Sequence, residues 1–308
     1  EDGGASWRSI PEISGSPERA FVNALRASET DPNTVYVIFD NHKEGDYAPY
    51  LVRSEDRGRT WASITGDLPD RQILWSLAQD HVNEDLIFVG AEFGLYFTLD
   101  GGERWLPFKG DVPVIPFRDI QIQRREADLV GASFGRGFFV LDDYSPLREV
   151  SEELLTREAH LFEVRDAWRY VPSVDLGVRG KGYQGGGLYA APNPAFGATF
   201  TYYLRDPSPL ARELREKREA ELRAAGEDVP FPGLESLRVE ARQSQAELFL
   251  VVSDAQGDVI RRVPASGDPG IHRVSWDLRF PSPDPIDLSP SPVPIWSNEP
   301  AGPLVAPG

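Results

Sequence analysis

The sequence predicts an all-β chain in two parts: about three blades of a β-propeller, then a β-sandwich carrying a helical insertion. Three observations predict it. The stretch Ser54-Glu55-Asp56-Arg57-Gly58-Arg59-Thr60-Trp61 returns as Thr98-Leu99-Asp100-Gly101-Gly102-Glu103-Arg104-Trp105, with the two aspartates 44 residues apart. A Gly-Ala-x-Phe-Gly run at 90–94 returns at 131–135, a period of 41. Repeats of roughly 40–45 residues are the length of one four-stranded propeller blade. The last third drops the repeat and alternates apolar with polar residues, the period of half-buried strands.

Each element follows in order. A half copy of the turn, Asp2-Gly3-Gly4-Ala5-Ser6-Trp7, opens the chain, and no methionine occurs in 308 residues, so a longer parent with further blades upstream is expected. Strands are expected at 21–28 and 34–39, joined by the turn formers Asp31-Pro32-Asn33. Tyr50, Leu51 and Val52 lead into the first complete turn, and Trp61 to Ile64 closes that blade. The same order recurs at 75–78, 86–89 and 95–97, then at 118–122 and 128–135. In the third copy Phe138 to Asp143 keeps an aspartate but no Gly-x-x-Trp follows, as at the end of a repeat array. Within the turns, an Asp side chain can accept a backbone N–H two residues on, and Gly58 or Gly102 tolerates positive φ. That reading makes Ser54, Asp56, Gly58 and Trp61, Thr98, Asp100, Gly102 and Trp105, and the partial Asp2 and Trp7, structural.

Blades are expected over 1–147, a connector over 148–196 with a helical piece near 150–157, and the sandwich over 197–308 after the break at Ala191-Pro192-Asn193-Pro194. Phe200, Tyr202 and Leu204 share one strand face. Leu248 to Val252 is apolar on both faces, which predicts a central strand, and Val274, Trp276 and Leu278 face inward from a last strand. Between the first two of these lies an exposed helix over 208–226, with Ser208 as N-cap, Pro209 at the first helical position and Gly226 past its end. Seven prolines between Pro281 and Pro300 make an irregular loop, and the missing last strand points to truncation at this end too.

Composition excludes several function classes. With 40% apolar and 11% aromatic residues the chain can bury cores. Its net charge of −17 repels phosphate backbones and anionic lipid, so neither nucleic acid nor membrane is an expected partner. No run of 18 apolar residues is present for a membrane span. Without cysteine there is no disulfide or thiolate ligand, and His42, His81, His160 and His272 lack metal-site spacing, so no metal and no cofactor is expected. Gly185-Gly186-Gly187 lacks the strand and the Lys-Ser/Thr of a phosphate loop.

With its turns at Asp2, Asp56 and Asp100, the run Gly135-Arg136-Gly137-Phe138-Phe139-Val140-Leu141-Asp142-Asp143, and Ala191-Pro192-Asn193-Pro194 followed by Gly197-Ala198-Thr199-Phe200-Thr201-Tyr202-Tyr203-Leu204, the chain resembles exported bacterial proteins of the sortilin-like Asp-box (BNR repeat) propeller group. These are often labelled glycosyl hydrolases. The resemblance implies a secreted, periplasmic or cell-surface protein with propeller blades and an immunoglobulin- or fibronectin-like module. It leaves activity open, because the same turn occurs in sialidases, xyloglucan-degrading enzymes, sortilins and non-catalytic proteins.

Candidate binding residues follow the second strand of each repeat, where the copies differ: His42, Glu92 and Ser133, with Arg136 three residues on. Equivalent propeller loops converge at one channel mouth, where such a set could line a site or merely solvate the rim. Two functions follow: a binding or scaffold module for an extracellular protein, peptide or glycan, or a glycoside hydrolase whose carboxylates lie mainly upstream. Glu92 is the single acidic residue expected near the mouth, and a glycosidase needs two.

Overall fold

The structure is a computed structural model that describes residues 3–170, 191, 193–206, 210–242, 248–283 and 301–307. It is mostly β, built of several antiparallel sheets with few helices. The chain divides into two compact units, 1–151 and 152–308.

The first unit is three antiparallel meanders in succession, an arrangement consistent with part of a propeller. Strands β1 (Phe21–Ala27), β2 (Val35–Asn41), β3 (Asp46–Ser54) and β4 (Ala62–Ser63) form the first sheet in sequence order. The second repeats the order with β5 (Leu74–Gln79), β6 (Ile87–Ala91), β7 (Gly94–Thr98) and β8 (Leu106–Pro107). The third has β9 (Phe117–Gln123), β10 (Asp128–Ser133) and β11 (Gly137–Leu141), and no fourth strand among the described residues.

The cores lie between sheets and follow from strand alternation. On β6, Ile87 and Val89 face the first sheet and, with Leu74 and Leu77 of β5, join Ile38 and Leu51. Their neighbour Phe88, with Leu86, faces the third sheet and joins Phe117, Ile120 and Leu129. The recurring glycines are explained by one residue of β9. A Cβ on Gly131 would lie 2.8 Å from the Phe117 ring, and one on Gly90 would lie 2.6 Å from the Phe117 carbonyl oxygen. Both glycines therefore make room for a fully buried residue of β9. A buried glutamine also ties the first two sheets: the Gln79 carbonyl oxygen accepts from Ser28 Oγ at 2.7 Å and Glu29 N–H at 2.9 Å, and its amide donates to Tyr36 Oη and the Glu84 carbonyl.

Both complete turns are built alike, with one difference from the expected geometry. Asp56 Oδ1 accepts from backbone N–H groups three and four residues on, Arg59 at 2.9 Å and Thr60 at 2.8 Å, rather than two. The bond from two residues on goes to the preceding hydroxyl: Ser54 Oγ accepts from Asp56 N–H at 3.4 Å and from Gly58 N–H at 2.8 Å. Thr98 and Asp100 repeat this with Gly102, Glu103 and Arg104. Donors from Thr60 first, its N–H and its hydroxyl, hold the Asp56 carboxyl well below the usual carboxylate range. Trp61 packs on its own turn and into a cluster with Val37, Phe39 and Val52. Trp105 instead reaches the first sheet's end, donating from Nε1 to the Ile64 carbonyl at 3.0 Å. Trp7 is 91% exposed, and Asp2 lies outside the described residues.

After β11 the chain is diverted rather than turned into another strand. Tyr144 and Arg148 return to Asp80, just past β5, and bury its carboxylate completely.

In the second unit, α1 (Glu152–Leu155) precedes β12 (Ala159–Leu161), which pairs with β13 (Ala198–Leu204), which pairs with β16 (Gly270–Trp276). β14 (Leu248–Ser253) and β15 (Val259–Ala265) form a second sheet. Both contribute to one apolar cluster: Ala198, Phe200, Val274 and Trp276 from the first, Leu250, Val252, Ile260 and Val263 from the second. The central-strand expectation for 248–252 is not met among the described residues, where β14 pairs with β15 alone and Val251 is 54% exposed. Apolar residues on both faces there reflect β-propensity more than burial.

Helix α2 (Ala211–Ala225) starts later than expected, with Leu210 at the N-cap and its N–H received by Glu213 at 3.0 Å. Ser208 and Pro209 lie outside the described residues, as do Pro192, Gly185-Gly186-Gly187 and the proline-rich 284–300. Gly226 closes α2 at φ 73°. A second helix, α3 (Leu234–Arg242), was not legible in the sequence; Arg215 of α2 binds Glu240 of α3 through both carboxylate oxygens.

A candidate binding groove on the first unit

The loops after β2 and β6, together with the first residues of β1, β5 and β9, line a groove of about 910 Å³ on the first unit. Two of the four sequence candidates meet there. His42 and Glu92 both approach Trp75 of β5: Trp75 Nε1 donates to Glu92 Oε2 at 2.9 Å, and the His42 ring stands edge-on to the indole at 6.1 Å. Backbone geometry sets both residues. Glu92 N–H donates to the Ile73 carbonyl at 2.8 Å, fixing the start of the β6–β7 loop beside β5. Asp40, at the end of β2 and only 3% exposed, accepts the His42 N–H at 2.9 Å and the ring Nδ1 at 2.6 Å, so chain and imidazole are held by one carboxylate.

Ser133 and Arg136 are not among the lining residues. Ser133 is the last residue of β10, and its Oγ donates to the Gly137 carbonyl at 3.0 Å, across its own hairpin; Arg136 is exposed. From that hairpin it is Phe134 that comes near, its ring 5.5 Å from the Arg118 guanidinium.

Sequence reasoning missed the rest of the groove. Arg118, the second residue of β9, lies over the Trp75 face at 3.5 Å. Lys43 lies over Phe21 at 4.2 Å and Arg71 over Tyr47 at 5.3 Å. Asp40 adds a second carboxylate to the one expected at Glu92. These residues come from six separate stretches of chain, so no spacing could single them out; the available signal was that Asp40 directly precedes the loop carrying His42. Among the described residues no group of three or more His, Asp or Glu is arranged to hold a metal, and no helix is long and apolar enough to cross a membrane.

No protein-family profile matches the chain, and no curated protein matches it. Solved structures with partial likeness include the GH74 enzyme of Niastella koreensis, at 17% identity and TM-score 0.32, over 40% of this chain and 21% of that one. They also include the GH74 xyloglucanase from Xanthomonas campestris, at 16% identity and TM-score 0.34, over 46% and 25%. A third is YCF48 bound to D1 peptide, at 15% identity and TM-score 0.34, over 46% and 42%. The match thus spans less than half the length of each of these proteins, and at such scores it adds no argument about activity.

Proposed function

We propose that the first unit is part of an exported Asp-box propeller and acts as a binding module, taking a protein, peptide or glycan in the groove around Trp75. The observation that carries this reading is the convergence of His42 and Glu92, from loops of successive sheets, on one indole. Grooves with an apolar floor and a few fixed polar groups are the usual form of ligand sites. Both carboxylates already hold neighbours in place, Asp40 the His42 ring and Glu92 the Trp75 N–H. That suits a rigid recognition surface, and the second unit then serves as a spacer or docking module of sandwich type. A screen of immobilised glycans and peptides tests it. At least one ligand should bind the chain and be lost with both Trp75→Ala and Glu92→Gln; binding indifferent to both changes would move the site elsewhere.

The second reading, a glycoside hydrolase, is favoured by one observation: Asp40 and Glu92 line the same groove, so two carboxylates are present where one was expected. Incubation with xyloglucan, β-glucan and sialyl-lactose should release no sugar above a Glu92→Gln control. Turnover that disappears in both Glu92→Gln and Asp40→Asn would make the groove an active site.

A further inference from the structure

We propose that the ligand of this groove is an acidic peptide segment with apolar residues between its carboxylates; the proposal rests on the groove being a binding site. Three cations line it, Lys43, Arg71 and Arg118, and each lies over an aromatic ring, Phe21, Tyr47 and Trp75 respectively. Among the described residues none of the three has an ion pair or hydrogen bond to a carboxylate. Stacking satisfies the face of a guanidinium and leaves its in-plane N–H fork open, the geometry that grips a carboxylate through two bonds. The two acidic residues present are already engaged, Asp40 by His42 and Glu92 by Trp75. Lys43, Arg71 and Arg118 outnumber Asp40 and Glu92 in the lining, and in a chain of net charge −17 this local excess of positive charge favours anions.

The rest of the lining decides between peptide and sugar. A sugar stacks on a free aromatic face and bonds to free polar groups, but the Trp75 face carries Arg118 and its N–H is spent on Glu92. What the groove leaves open is apolar: Val22 and Phe93 are 59% and 56% exposed along it, and Phe21, beneath Lys43, is 50% exposed. Carboxylates for the three cations and aliphatic side chains for these three residues describe a peptide.

The test is fluorescence anisotropy with the full chain and a short labelled peptide, blocked at both termini, alternating glutamate and leucine. A lysine–leucine peptide, an oligogalacturonate and a neutral xyloglucan oligosaccharide are the other probes. The acidic peptide should bind, weaken steeply between roughly 0.05 and 0.5 M salt, and lose about 10-fold or more in affinity with Arg118→Gln or Arg71→Gln. Arg118→Lys should restore part of the loss, because it keeps the charge without the fork. Arg59→Gln, an exposed cation away from the groove, should change nothing, and circular dichroism should show every variant folded. No binding of the acidic peptide, or equal binding of the lysine–leucine peptide, overturns the proposal. Preference for oligogalacturonate or xyloglucan also overturns it, while loss of that binding in Trp75→Ala would leave the groove itself standing as the site.

Discussion

Asp80 offers the sharpest test of how the first unit is held together. Its carboxylate is fully buried and receives Arg148 Nε and Nη2, each at 2.8 Å, Tyr144 Oη at 2.6 Å and Asn83 N–H at 2.8 Å. Asp80→Ala strands a mostly buried guanidinium and leaves a phenol that is 1% exposed without its acceptor. Removing one partner of a buried ion pair costs about 3–5 kcal/mol, because the other charge stays desolvated. In a unit of about 150 residues each kcal/mol moves Tm by roughly 2–4 °C, so a loss of about 6–20 °C is expected. Urea unfolding of wild type, Asp80→Ala, Arg148→Met and the double variant is the assay, and the double variant should lose less than the singles add up to. The group also predicts a pH effect. Burial acts to raise the Asp80 pKa, but bonds from Arg148, Tyr144 and the Asn83 N–H outweigh it and hold the value below normal. A carboxyl with a depressed folded pKa contributes stability that is fully present above its unfolded pKa, near 4, and lost as pH falls through the folded value. Wild type should therefore lose stability below about pH 4 more steeply than Asp80→Asn. A change under about 1 kcal/mol in Asp80→Ala, or parallel acid profiles, would refute the account of the buried cluster.

The other predictions concern the repeat and the helices. Gly131→Ala places a methyl 2.8 Å from the Phe117 ring and should cost about 1–3 kcal/mol, with Gly90→Ala worse because it meets backbone as well; unchanged urea midpoints would show that β9 has slack. Asp56→Ala should lower the melting temperature while any ligand binding persists, since among the described residues its oxygens serve only its own turn; lost binding in a stable variant would give that turn a functional role. Replacing 210–242, both helices together, with a short Gly/Ser linker should leave the second unit folded by near-ultraviolet circular dichroism, since neither helix buries a residue. Aggregation on that replacement would show that the helices cover the core.

Legibility in the sequence tracked locality. The side-chain bonds that shape the turns at Asp56 and Asp100 span at most four residues, so the pattern carries the turn geometry, while Trp105 reaches 38 and 41 residues back to Asp67 and Ile64. Strand positions were readable for the same reason, because the five residues of β6 form one continuous apolar run. Contacts between sheets were not. Gln79 reads as an ordinary polar strand residue, yet it meets Ser28 and Tyr36 about fifty and forty residues away. Asp80 and Arg148 are 68 residues apart, and nothing near either one announces the other.

The groove lies between these cases, and its two halves show why. His42 and Glu92 were found because equivalent loops of a repeat must emerge on the same side, which is a property of the period rather than of either residue. Arg118 and Trp75 were missed because they sit inside strands, where a polar or aromatic letter is expected to face solvent or core and gives no sign of facing its neighbour in the next sheet. Ser133 has the corresponding position in the repeat but does not line the groove: it ends β10, and its hydroxyl donates to the Gly137 carbonyl across the hairpin. Period therefore places the loops, and inter-sheet packing brings Arg118 onto Trp75 beside them.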